Sequence, residues 1–288
     1  MIDHLTEPLT KRLFFALLVI TVGVEIVLYL SRYSYLASSL YDAIMVASFF
    51  IGIKLHRKLN KEVSKTRRQL WLQVTGAFLF FFMGSTVVHI LSANVFEEYS
   101  SEYEEYVQEY TDLPVIDEGS MEPSWTILDE VDTVGYDIFS DLLAGLEEVW
   151  RLGYMVLLLL VFKRIFPKRW EKGSRDIFLM ISLVVTSILF GIDHTLAVEA
   201  SWNYQIGTIV TLASMGLLFG LILLWTRNLW VTVCIHSLYD VTVTISWYYY
   251  EFAVEIFAGI VLLAYIILLY FEKRKRTVNQ IESESIVR

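Results

Sequence analysis

Residues 206–225 read IGTIVTLASMGLLFGLILLW, an apolar run without one ionisable side chain. A helix of roughly 20 such residues crosses a hydrocarbon core about 30 Å thick. In lipid every backbone N–H and C=O must be satisfied within the segment, so a run of this kind is read as a membrane-spanning helix.

Working outward from it, comparable stretches occupy 13–30, 40–55, 70–91, 138–162, 177–191, 229–247 and 252–270. The shortest, 40–55, begins near Asp42 and is the weakest member of the set. The expected fold is all-α, a polytopic transmembrane helical bundle of about eight spans forming a single membrane domain over 1–288. Composition agrees, since 56% of the chain is hydrophobic and 19% charged, against about 25% charged in soluble domains. A soluble globular domain is excluded by these runs.

Charge placement tests the count independently. Lys and Arg gather in 56–68, 163–175 and 273–276, with Lys11 and Arg12 before the first run and Arg227 between the sixth and seventh. Residues 96–133 hold thirteen acidic side chains and no Lys or Arg, and supply most of the net charge of -9. Eight spans put every basic cluster on one side and the acidic loop on the other, which is the positive-inside pattern for a multi-pass cell-membrane protein with N- and C-termini cytoplasmic. The acidic segment 96–133 is then an extracytoplasmic loop, a solvated connector that could also gather cations or basic peptides. The polar residues ahead of the first run, without a small-residue cleavage site, fit a retained anchor. Trp71, Trp170, Trp202, Trp225, Trp230 and Trp247 fall near span ends, where interfacial anchors are expected. The basic loops suit anionic lipid headgroups, so membrane lipids are the expected partners and nucleic acid is not. Cys234 is the only cysteine, which excludes an internal disulfide.

Function is sought where ionisable groups fall within the spans, because their cost in hydrocarbon marks them as functional candidates. They are Glu25 in the first run, Glu147, Glu148 and Arg151 in the fourth, Asp193 and His194 at the end of the fifth, and His236 with Asp240 in the seventh. Glu147 with Arg151, and His236 with Asp240, are i,i+4 pairs on one helical face. A buried carboxylate balanced by arginine can act as a general base on water, while a second carboxylate or a histidine carries the proton to a leaving amine. Histidine with a neighbouring acid can also donate to a developing oxyanion. Each pair alone fits equally well a buried ion pair or packing pair; three helices contributing together favour a site.

The strings Glu147-Glu148-Val149-Trp150-Arg151, Phe190-Gly191-Ile192-Asp193-His194 and His236-Ser237-Leu238-Tyr239-Asp240 resemble the three polar motifs of the CPBP family, the CAAX prenyl proteases and bacteriocin-processing intramembrane proteases. That pattern has two glutamates and an arginine, then Phe-x-x-x-His, then His-x-x-x-Asn or Asp. The last two agree residue for residue. In the first, two residues rather than the usual three separate the glutamate pair from the arginine, although Gly153-Tyr154 falls where a Gly-Tyr often follows. The resemblance covers a motif-bearing catalytic core over 141–247.

What the resemblance implies is an intramembrane endopeptidase acting on a membrane protein or peptide. Glu147 would activate water with help from His194, Arg151 would orient Glu147 and Glu148, and His236 with Asp240 would stabilise the oxyanion. Glutamate catalysis without a cofactor is the expectation. A zinc ion on Glu147, His194 and His236 is the alternative chemistry. Two other classes stay open: a proton-coupled or ion transporter using the same cluster, with Glu25 as a further group, and a non-catalytic membrane scaffold. The fourth, fifth and seventh spans are expected to be mutual neighbours, with Gly145, Gly153 and Gly191 allowing close approach.

Overall fold

The computed structural model describes residues 2–59, 66–96, 123–196 and 202–287. Among the described residues the chain is helical throughout, and seven helices are long and apolar enough to cross a membrane. The helices are α1 (Ile2–Leu5), α2 (Lys11–Ser31), α3 (Tyr35–Leu59), α4 (Arg67–Val95), α5 (Pro123–Ala144), α6 (Glu147–Ile165), α7 (Pro167–Glu171), α8 (Arg175–Leu196), α9 (Trp202–Thr226), α10 (Leu229–Tyr248) and α11 (Ala253–Val287). The seven apolar helices are α2, α3, α4, α8, α9, α10 and α11. The remaining expected span, α6, carries Glu147, Glu148, Arg151, Lys163 and Arg164 within its 19 residues. It is the motif itself that lowers the hydropathy of α6.

Two expectations are corrected. The fourth run, 138–162, is not one helix: the backbone turns at Gly145 and Leu146, and α5 ends before α6 begins. The reason is local, since Leu146 stays near-helical while its N–H goes to the Leu143 carbonyl, breaking the i,i−4 ladder. Residues 123–133, expected as part of the loop, belong to helix α5; the rest of the acidic loop, 97–122, lies outside the described residues. Conversely, the doubtful second run proves to be the 25-residue helix α3.

Helix ends follow their capping residues. Thr66 opens α4 with a reciprocal capping box to Gln69, and Asn228 opens α10 by accepting from Trp230 N at 3.1 Å. The α9–α10 turn needs only Arg227 and Asn228, with Arg227 in the left-handed region at φ 51°. Within α2, Val19–Gly23 is a π-helical turn, and Thr21 from it meets Gly153 of α6.

Burial orders the bundle. Of the α10 span 56% is buried, against 6% for α11, so α10 is central and α11 faces outward. One apolar core joins α2, α3, α6 and the start of α8, and a second joins α4, α9, α10 and α11. α6 packs on α3, α8 and α10, and α9 packs on both α8 and α10. Two glycines make these approaches possible. A Cβ at Gly145 would collide with Ser237 Oγ and the Val233 carbonyl of α10, and one at Gly191 would collide with the Ile209 carbonyl of α9. Trp170 differs from its expected role as an interfacial anchor: it is buried and stacks on Phe178.

The basic ends gather at one pole. Lys163 Nζ donates to the Thr6 carbonyl at 3.2 Å, Lys58 Nζ to the Glu7 carbonyl at 3.4 Å, and Arg175 pairs with Asp3 at 2.5 Å. Arg68, at the start of α4, pairs with Glu272 of α11 at 3.5 Å. The polar motifs lie away from it, at the start of α6, near the end of α8 and midway along α10.

Candidate active site

α6 opens on adjacent glutamates, a position where the helix dipole favours negative charge. Successive helical residues point about 100° apart, so the two carboxylates meet different neighbours. Glu147 is 15% exposed, and its Oε2 lies 3.9 Å from Nε2 of His194 on α8. Glu148 is fully buried and turns inward. One of its oxygens pairs with Arg151, one turn on, and the other lies 3.2 Å from Nδ1 of His236 on α10.

Arg151 is buried and held from two sides. One terminal nitrogen donates to Glu148, the other to the carbonyl of Gly216 on α9. The guanidinium also sits 5.6 Å and 5.5 Å from the ring centroids of Phe190 and Phe219, within cation–π range. Nothing in the sequence marks Gly216 as a partner, because it acts through a backbone carbonyl. The absence of a side chain there matters, since a Cβ would press on Phe190 and on Arg151 itself.

His236 is buried with both ring nitrogens engaged, Nδ1 to Glu148 and Nε2 to Asp240 at 3.3 Å. Its ring stacks on Phe219 at 4.5 Å, and Phe190 of α8 meets it edge-on at 5.8 Å. Helices α8 and α10 thus touch at the site through Phe190, while α6 and α9 complete the neighbourhood. Asp240 is more open, with 28% of its side chain exposed. His194 has Nδ1 2.8 Å from the Phe190 carbonyl. A carbonyl only accepts, so Nδ1 carries the hydrogen and Nε2 is the nitrogen turned to Glu147.

Two cavities flank these groups. The first is lined by Glu25, Tyr41, Glu147, Trp150, Tyr154 and Asp193, among others. The second is lined by His89, Thr208, His236, Tyr239 and Asp240, among others. Phe190 and His194 belong to the walls of both. All six expected site residues therefore lie in one neighbourhood: Glu147 and Arg151 line the first cavity, His236 and Asp240 the second and His194 both, while Glu148 is sealed beneath them.

The zinc arrangement does not form. Among the described residues no three His, Cys, Asp or Glu side chains are grouped to hold a metal ion, and His236 has both nitrogens on carboxylates. The Phe219 ring and Gly216 are contributors that spacing alone does not reveal, whereas Phe190 and Tyr154 stand in the quoted motifs and Glu25 carried a signal as an acid within a span.

Residues 142–242, a little over a third of the chain, match the family model described as Type II CAAX prenyl endopeptidase Rce1-like. The three motif strings fall inside that segment. No curated protein and no solved structure matches the chain.

Proposed function

We propose that the likeness over 142–242 extends to chemistry, and that the chain is an intramembrane endopeptidase that hydrolyses a peptide bond in a membrane protein or peptide. The observation that carries this reading is the pairing of Glu147 with His194 at 3.9 Å in the first cavity, at the point where His194 also borders the second. That separation is too long for a direct hydrogen bond. It lets both groups reach one water.

Glu147 takes a proton from this water as its oxygen attacks the scissile carbonyl. The proton then passes to the departing amine as the C–N bond breaks, and His194 Nε2 steadies the water before attack. His236 donates from Nε2 to the developing oxyanion, exchanging its contact with the half-exposed Asp240. Glu148 and Arg151 are positioning residues. Glu148 has no exposed surface for a water to reach, and its buried carboxylate orients the guanidinium and the imidazole together. On this reading Glu147 is the base.

The pole that gathers Lys58, Lys163, Arg175 and Arg68 is the cytoplasmic one, with both termini on that side. The chain is a single membrane domain whose catalytic core is 141–247, and the acidic segment 96–133, with the start of α5 in it, is extracytoplasmic. Membrane lipids surround it. The test is cleavage of a membrane proteome or peptide library by purified protein in nanodiscs, wild type against Glu147→Gln at equal folded concentration. Products in the first and none in the second support the reading. If neither cleaves and the wild type moves protons or ions in liposomes, the polar cluster is a transport relay instead.

A further inference from the structure

The cavity on the α2 side of Glu147 holds more acid than the hydrolysis uses. Glu25 and Asp193 line it with Glu147, and its one guanidinium, Arg151, directs both terminal nitrogens to Glu148 and Gly216. Glu25 Oε1 accepts from the Tyr154 hydroxyl at 2.9 Å. Its Oε2 is buried and receives no donor, and Asp193 brings a second carboxyl to the same cavity. Two carboxyl groups sharing a cavity at membrane depth need a proton or a cation with them.

The rest of the wall selects among cations. Tyr41, Trp150 and Tyr154 are the ring types that hold organic cations, while a metal lacks a third ligand among the described residues. Trp150 is only 7% exposed, and its Nε1–H has no acceptor. A buried donor without a partner, in one cavity wall with an acceptor oxygen that also lacks one, fits a guest offering both a carbonyl oxygen and a cation. A peptide residue with a basic side chain offers both.

We propose that this cavity is a specificity subsite for a lysine or arginine side chain of the substrate, with the Glu25–Asp193 pair receiving the cation and Trp150 a peptide carbonyl. The inference rests on the endopeptidase reading and deepens it. Glu147 and His194 line the same cavity as Glu25 and Asp193, so the bound basic residue sits next to the scissile bond.

Two measurements on the full-length protein in nanodiscs decide it. In the first, cleavage sites from a peptide library show Lys or Arg enriched at one position beside the cut. Replacing that residue by norleucine raises KM about tenfold or more with little change in kcat, as expected for losing a hydrogen-bonded charge. The Glu25→Gln/Asp193→Asn double variant, nearly isosteric, still cleaves but loses the preference. In the second, dansylcadaverine, a lysine-like alkylammonium with a fluorophore, binds the Glu147→Gln protein and binds Glu147→Gln carrying both subsite changes at least about tenfold more weakly. Cleavage without a basic preference, or a preference kept by the double variant, overturns the subsite and leaves the protease reading intact. Absence of any cleavage sinks the protease reading, and the amine binding then stands or falls separately: equal binding to both proteins overturns the subsite.

Discussion

His236 of α10 turns Nδ1 to Glu148 of α6 across 3.2 Å, with both side chains buried. The same carboxylate holds Arg151, so one acid side chain fixes a cation and an imidazole on two helices. Removing it strands the guanidinium in the interior. Glu148→Ala should lower stability by about 3–5 kcal/mol, the range for breaking a buried pair, read as a fall in melting temperature in nanodiscs. Glu148→Gln should fold less stably than wild type and keep detectable cleavage. A Glu148→Ala protein as stable as wild type would contradict the support role.

Glu147 is expected to behave in the opposite way. It is partly exposed and makes no contact shorter than 3.9 Å to His194, so Glu147→Gln should leave the melting temperature near wild type. Cleavage should fall by at least about 100-fold, the lower range for a lost general base. His194→Ala should fall similarly. Matched-concentration cleavage assays beside thermal melts separate the two glutamates.

Asp240→Asn is the mildest of the site changes. Asparagine can donate to an oxyanion from its amide, where aspartate needs a proton or a bridging water. Measurable cleavage is expected to persist, whereas His236→Ala should abolish it. An inactive Asp240→Asn protein with a wild-type melt would show that the carboxylate itself, acting on His236, is required.

Gly191 sets the contact of α8 with α9, since a Cβ would run into the Ile209 carbonyl. Gly191→Val should therefore destabilise by at least about 1–3 kcal/mol, the range for overpacking. Gly135, around which a Cβ would meet nothing, is the control. Gly135→Ala should leave the melt and cleavage unchanged, and equal losses at both positions would argue against close helix approach as the cause.

Sidedness is checked by thiol labelling in intact cells with Cys234 replaced by Ser. A cysteine at Lys172, in the basic pole, should be shielded from an impermeant maleimide, and one at Glu104, in the acidic segment, should react. Reaction of both, or of neither, would overturn the proposed orientation.

Activity should survive metal removal. Prolonged dialysis against a strong chelator is expected to change cleavage by less than about twofold, since a bound catalytic zinc would otherwise account for several kcal/mol of the barrier. Loss restored by stoichiometric zinc would return Glu147, His194 and His236 to the role of ligands.

The sequence by itself determined the helical bundle, because hydrocarbon allows an apolar run of this length no other backbone than a helix that satisfies its own hydrogen bonds. It also drew attention to the polar residues from which the proposed site is built, since charge within a span is costly. What it left undecided was how these residues divide the work. Glu147 and Glu148 are chemically identical neighbours in the chain, and only packing against α8 and α10 shows that one borders a cavity while the other is sealed beneath it. The break at Gly145–Leu146 was illegible for a related reason: apolar content continues across it, and the collision that a side chain at Gly145 would make with α10 exists only in three dimensions. Gly216 and Phe219 joined the site in the same way, through a carbonyl and a ring face whose positions depend on how α9 lies against α6, a relation between distant segments that no local spacing encodes.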